Sequence, residues 1–169
     1  MSPRRPTHLD ARGRARMVDV GDRPSSDREA TATGQVRLSQ VAFDAISQGG
    51  VPKGDVLEVA RLAGIMGAKR TPELIPLCHP LTLTHVAVTA ELLPGPPPRV
   101  ELLATIRCHA TTGVEMEALT AVAVAALTVI DMVKSLDHWA EIGPIGLLAK
   151  RGGRSGPLQR PETGSAPGA

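Results

Sequence analysis

The sequence predicts an α+β fold, an antiparallel sheet with helices packed on one face. Runs with apolar residues at every second position are separated by runs with helical spacing. Two of the alternating runs, "LTHVAVTAEL" and "RVELLATIRC", are joined by the turn-rich "LPGPPP", which marks an antiparallel pair. The helical runs open on Asp or Thr three positions before Glu, the spacing of a capping box.

In chain order, "RMVDV" reads as a short first strand, and "EATATGQVRL" as a second whose alternation holds from Ala30 to Leu38. A short helix follows over residues 39–47 and stops at Gly49-Gly50. In "KGDVLEVARLAGIMGAKR", Asp55 with Glu58 opens a longer helix that ends before Pro72. Along it Ala60, Ala63, Gly64, Gly67 and Ala68 recur at spacings of three and four, a smooth ridge that lets another element pack closely. After the hairpin, Thr112 and Glu115 form a second capping box, and the helix they open runs to about Leu136. "IGLLAK" reads as the last strand, and no internal repeat is present.

Residues 1–6 and 154–169 are rich in Pro, Gly, Ser and Arg and read as disordered tails around a single folded domain over 7–153. The 169 residues, 42% hydrophobic, suffice for one core, and with one Trp, one Phe and no Tyr that core is aliphatic. Aromatic platforms for stacking bases are therefore lacking, and a net charge of +2 with cations spread among acids gives nucleic-acid binding little support. A small anionic ligand fits better. The longest low-polarity stretch, residues 118–133, contains Asp131 and is short for a membrane span. With two cysteines and no charged-then-apolar leader, the reading is a reduced, cytoplasmic protein without a structural disulfide.

The doublets Cys78-His79, in "LIPLCHP", and Cys108-His109 raise the question of a metal site. Neighbours on a strand point to opposite faces, and neither doublet has the C-x-x-C spacing of structural zinc. The alternative is that Cys78 and Cys108 are small buried hydrophobes. His85, His109 and His138 read in the same way as structural or exposed histidines.

Lys53 stands two residues before the helix N-cap Asp55, where the positive end of the helix opposes an ammonium group. It is either a solvated loop lysine or a group able to share a proton. The long helix "ALTAVAVAALTVIDMVK" is apolar nearly all round until Asp131 and Lys134 interrupt it on one face. They make either a structural ion pair or, if buried, a costly pair that marks a site. Met116 and Glu117 share that face but lie about 20 Å away along the axis, so one small ligand touching both ends needs another copy of the chain. Glu115 has a ready role in the capping box, and Glu117 has none. Arg28, Lys69, Arg70, Lys150, Arg151 and Arg154 are scattered cations that could together neutralise a phosphorylated ligand. No Walker loop and no G-x-G-x-x-G turn is present.

"HLDARGRARMVDV", "KGDVLEVARLAGIMGAKRTPELIPLCHPL", "TGVEMEALTAVAVAALTVIDMVKSLD" and "LLAKRGGRSG" together resemble the MoaC family of molybdenum-cofactor biosynthesis, the cyclic pyranopterin monophosphate synthases. The resemblance implies a ferredoxin-like subunit in a homohexamer built as a trimer of dimers, with active sites at subunit interfaces. It also implies conversion of 3′,8-cyclo-7,8-dihydroguanosine triphosphate to cyclic pyranopterin monophosphate and pyrophosphate, with no redox cofactor and with "LCHP" as a substrate-contacting loop in place of half a zinc site. By motif, Lys53, Asp131 and Lys134 match the family's catalytic groups. Leu77, Cys78 and His79 match a substrate-binding loop, Met116 and Glu117 a second binding segment, and Arg28, Lys69, Glu115 and Lys150 pocket-lining positions. Ser26 stands where Thr is frequent. Two other readings are an idle module that holds a pterin or nucleotide, and a metal-dependent hydrolase built on the Cys-His doublets.

Overall fold

The computed structural model describes residues 12–153 and 156–161. The strongest alternation in the sequence becomes its central strand, β1 (Ser26–Arg37), in which Ala30, Ala32, Gly34 and Val36 face inward. Helices α1 (Gln40–Ser47), α2 (Val56–Lys69) and α3 (Thr71–Leu74) lead to the hairpin β2 (Leu83–Leu93) and β3 (Arg99–Ala110). Helix α4 (Glu115–Val133) follows, then β4 (Glu141–Ile142), β5 (Gly146–Arg151) and β6 (Leu158–Gln159).

All pairings are antiparallel, in the order β2-β3-β1-β5-β6, with β4 beside the end of β1. The main path β1-α2-β2-β3-α4-β5 gives the α+β, ferredoxin-like arrangement, with α2 and α4 packed on the sheet. The core between helices and sheet is aliphatic: Val36, Val100, Leu102 and Ile106 from the strands meet Val122, Val129 and Val133 from α4. Each such side chain, fully buried, contributes about 1.5–3 kcal/mol by leaving water.

The small-residue ridge of α2 does what its spacing predicts. A Cβ at Gly67 would lie 2.9 Å from the Val124 side chain, and one at Gly64 would lie 3.0 Å from the Ala121 carbonyl oxygen. Backbone-to-backbone approach of α2 and α4 is possible only because those side chains are absent. The helices run in opposite directions, so the start of α2 lies at the end of α4.

Several expectations change. "RMVDV" is not a strand, and the one bridge nearby is at the preceding Ala15. The Val18 carbonyl instead accepts a hydrogen bond from His79, so a side chain takes the place of a partner strand. Strand β1 begins at Ser26, four positions before the predicted alternation. Asp55 caps α2 by accepting from the Leu57 and Glu58 amides at 3.0 Å, but Glu58 turns outward to Arg61 and does not complete the box. The second box is absent: the N-cap of α4 is Val114, without a side-chain cap, and Glu115 pairs with Lys150 of β5. A long-range charge has displaced a local one.

The expected C-terminal tail contains β6, which pairs with β5 at Ala149 and Lys150. The N-terminal tail lies outside the described residues, as does most of the remainder of the C-terminal one. Beginning at Glu115, α4 is long and apolar enough to cross a membrane by length and composition, contrary to the estimate from residues 118–133. It packs against α2, β1 and β3 as the core helix. Beyond it, the buried Asp137 accepts from the amides of Ser39 at 2.6 Å and Trp139 at 3.1 Å, while the Trp139 side chain is 91% exposed.

Candidate active site

Two groups of polar side chains form, one at each end of α4. At its C-terminal end, Lys53 donates to the Asp131 carboxylate and to the Asp131 carbonyl, both at 2.7 Å. Lys134, the C-cap of the helix, meets the other carboxylate oxygen at 2.8 Å. Lys53 is placed by the turn before α2, in which the Gly54 amide bonds the Val51 carbonyl and Gly54 takes φ +100°, a conformation that favours glycine. Hydrogen bonds from Lys134 and then from Lys53 hold the Asp131 carboxyl down at about 2.

This cluster differs from its expected form. Asp131 and Lys134 are not buried; their side chains are 56% and 60% exposed. The Lys53 ammonium is not left facing the helix start, because Asp131 compensates it. Two cations share one carboxylate at the surface, and they carry little of the cost of a buried ion pair.

At the other end, α4 enters beneath two adjoining cavities. The smaller, of about 450 Å³, is lined by Leu77, Cys78, His79, Met116 and Glu117 together with Val18 and Val20. The larger, of about 610 Å³, is lined by Arg28, Lys150, Arg151 and Ser26, and the two share Arg23, Thr112, Gly113 and Glu115. The sequence-predicted binding segments thus converge, with one exception: Lys69, exposed at the end of α2, lines neither cavity.

Glu117 is only 3% exposed, and its Oε2 has no hydrogen-bond partner among the described residues. Burial, with a smaller push from Glu115, raises its carboxyl pKa above the usual range. Burial and the Glu117 charge likewise raise the thiols of Cys78 and Cys108. A buried carboxyl oxygen without a partner carries a desolvation cost that a hydrogen-bond donor would relieve. His79 donates from Nε2 to the Val18 carbonyl at 2.8 Å, which fixes the ring.

In the larger cavity, Arg28 is oriented by main-chain acceptors, donating to the carbonyls of Ala110 at 3.2 Å and Thr111 at 3.3 Å. Lys150 bonds Glu115 at 2.7 Å. Ser26 also lines this cavity, and its hydroxyl is buried without a partner among the described residues. Opposite orientation of neighbours holds in the second doublet: Cys108 is buried, whereas His109 points out and donates from Nδ1 to Asp27 at 2.8 Å. Among the described residues no three His, Cys, Asp or Glu side chains converge to hold a metal ion.

Sequence reasoning missed Arg23, Thr112 as a cavity residue, and Gly113. Arg23 lies in the unremarkable turn "GDRPSS" and gives no periodic or motif signal. Gly113 is legible only in space, since a Cβ there would collide with the Glu115 carboxylate. The two ends of α4 stay apart in one protomer: the rise from Glu117 to Asp131 is about 20 Å.

Comparison with known proteins places this geometry in context. Residues 17–153 match the family model described as the MoaC family. The cyclic pyranopterin monophosphate synthase of Chloroflexus aurantiacus is 58% identical over 156 residues, covering 92% of this chain and 94% of that protein. That of a Nocardioides species is 54% identical over 160 residues, 95% of this chain and 98% of the other. A Nostoc protein of the same name is 54% identical over 151 residues, with 89% of each covered.

Proposed function

The chain belongs to the MoaC family and is a lyase of molybdenum-cofactor biosynthesis, and from that premise we propose that it converts 3′,8-cyclo-7,8-dihydroguanosine 5′-triphosphate to cyclic pyranopterin monophosphate, releasing pyrophosphate. The observation that carries the chemical reading is the bridging of Lys53 and Lys134 by the single carboxylate of Asp131. Opening a purine ring and closing a pyran ring require protons to be delivered and withdrawn in turn. Two ammonium groups on one carboxylate supply both directions, and such help is worth about 10²–10⁴ in rate.

The cavities account for the substrate in parts. Glu117, Cys78 and His79 offer a half-polar wall to the heterocycle, and Arg28 with Lys150 offers cations to the phosphates. Attack of a sugar hydroxyl on the α-phosphorus forms the cyclic phosphodiester as the bond to pyrophosphate breaks, and cations stabilise the charge that develops on the leaving group. No redox cofactor and no resident metal enters these steps.

The separation of the lysine cluster from the cavities supports a homohexamer, a trimer of dimers in which one subunit's Lys53, Asp131 and Lys134 face another's cavities. Lys69 would then reach substrate from across an interface. Apolar side chains left outward on the helices, Leu62 and Met66 of α2 and Leu127 of α4, give such subunits surface to bury. The site of action is the cytoplasm.

The experiment is turnover of the cyclised GTP substrate by wild type, Lys53→Ala and Lys134→Ala, with and without chelator, reading both pyrophosphate and pterin. Wild-type activity that survives chelation and is lost in each lysine variant is the expected result. Folded wild type without turnover would favour an idle pterin- or nucleotide-binding module. Activity abolished by chelator would favour a metal-dependent hydrolase.

A further inference from the structure

The cations around the larger cavity are not equally available. Lys150 is committed to Glu115. Arg151 and Arg107 both pair with Glu29. Arg28 spends its Nε hydrogen and one Nη2 hydrogen on the carbonyls of Ala110 and Thr111. Arg23 differs: its amide bonds the Val20 carbonyl at 3.1 Å and closes the turn, while among the described residues its guanidinium has no hydrogen-bond or ion-pair partner.

Its position is equally distinctive, since Arg23 lines both cavities. The seam between them consists of Arg23, Thr112, Gly113 and Glu115, and the carboxylate in that group is already paired with Lys150. An anion crossing the seam therefore meets one uncommitted cation and no uncompensated acid within the seam itself. Asp22 also lines the larger cavity but is exposed.

We propose that Arg23 is a further substrate-binding residue, the group that grips the phosphate chain where the smaller cavity opens into the larger. The proposal rests on the function proposed above. A guanidinium fork on a held main chain can take two phosphate oxygens at once, which an ammonium cannot do in the same plane.

The test uses the full-length protein. Inorganic pyrophosphate is titrated calorimetrically into wild type, Arg23→Lys and Arg23→Gln, and KM and kcat for the cyclised substrate are measured on the same preparations. Loss of a charge-assisted contact should weaken pyrophosphate binding about tenfold or more in Arg23→Gln and lower kcat/KM by at least as much. Arg23→Lys should fall between, retaining charge without the fork. Equal affinities in wild type and Arg23→Gln, or no binding of pyrophosphate by wild type, would overturn the assignment. Arg23-dependent binding without turnover would sink the proposed reaction and leave the anion site standing.

Discussion

Lys53 and Asp131 lie seventy-eight positions apart in sequence, and the Lys53 ammonium bonds both the carboxylate and the main-chain carbonyl of Asp131 at 2.7 Å. That contact joins the turn before α2 to the last turn of α4. It exists because the two helices pack antiparallel along a ridge without side chains.

The first prediction concerns function without folding. Exposed ion pairs contribute little to stability, so Lys53→Ala and Lys134→Ala should melt within a few degrees of wild type. Their turnover should fall by about 10²–10⁴. Parallel thermal melts and pterin assays check this, and a variant that loses stability in step with activity would contradict it.

Much of this was legible in sequence, and the exceptions are instructive. Alternation in β1 and β3 and the small-residue spacing in α2 are local patterns with one period each, so the sheet and its close helix contact could be read. Lys53, Asp131 and Lys134 stood out because charges interrupt an apolar helix or precede a cap. The capping reading of Glu115 fails because capping-box spacing is a local rule, whereas Lys150 arrives from thirty-five residues away. Arg23 and Gly113 carry no local pattern; their importance arises only when the 18–23 segment and the start of α4 meet around a cavity.

Asp131 and Glu117 should respond to pH with opposite signs. Asp131 has a folded pKa of about 2 against an ordinary 3.8, so its stabilising contribution is present above the higher value and lost as pH falls through the lower. The melting difference between wild type and Asp131→Asn should be small, steady at neutral pH, and vanish only in strong acid. Shrinkage already between about pH 7 and 5 would exclude this ionisation.

Glu117 has a raised folded pKa, so its favourable contribution is present below the ordinary carboxyl range and lost as pH rises through the raised value. Glu117→Gln should therefore be more stable than wild type at neutral and alkaline pH and no more stable in acid, while binding substrate less tightly. Melting curves across pH, paired with substrate titration, test both halves.

Gly67→Ala places a methyl against Val124. Overpacking should cost about 1–3 kcal/mol, set against about 1 kcal/mol gained in helix propensity. Denaturant unfolding should show net destabilisation, relieved when Val124→Ala is added. Additive effects in the double variant would mean that the two helices do not touch there.

A shared active site predicts complementation. Lys134→Ala, inactive alone, and Glu117→Gln, weakened in substrate binding, should show more turnover than either alone when unfolded together and refolded as mixed oligomers, since some interfaces then carry an intact lysine cluster beside an intact cavity. Mixtures that stay inactive while light scattering shows mixed assembly would place each site within one subunit.

Trp139 gives such experiments an optical handle. It is the sole tryptophan in a chain without tyrosine, its indole is almost fully solvated, and it lies five residues after Lys134. Ultraviolet emission from the protein is thus essentially a single-site signal, red-shifted when the indole faces water. Any subunit docking or ligand closure that covers this corner would appear as a blue shift or altered quenching, with no label added and no second fluorophore to subtract.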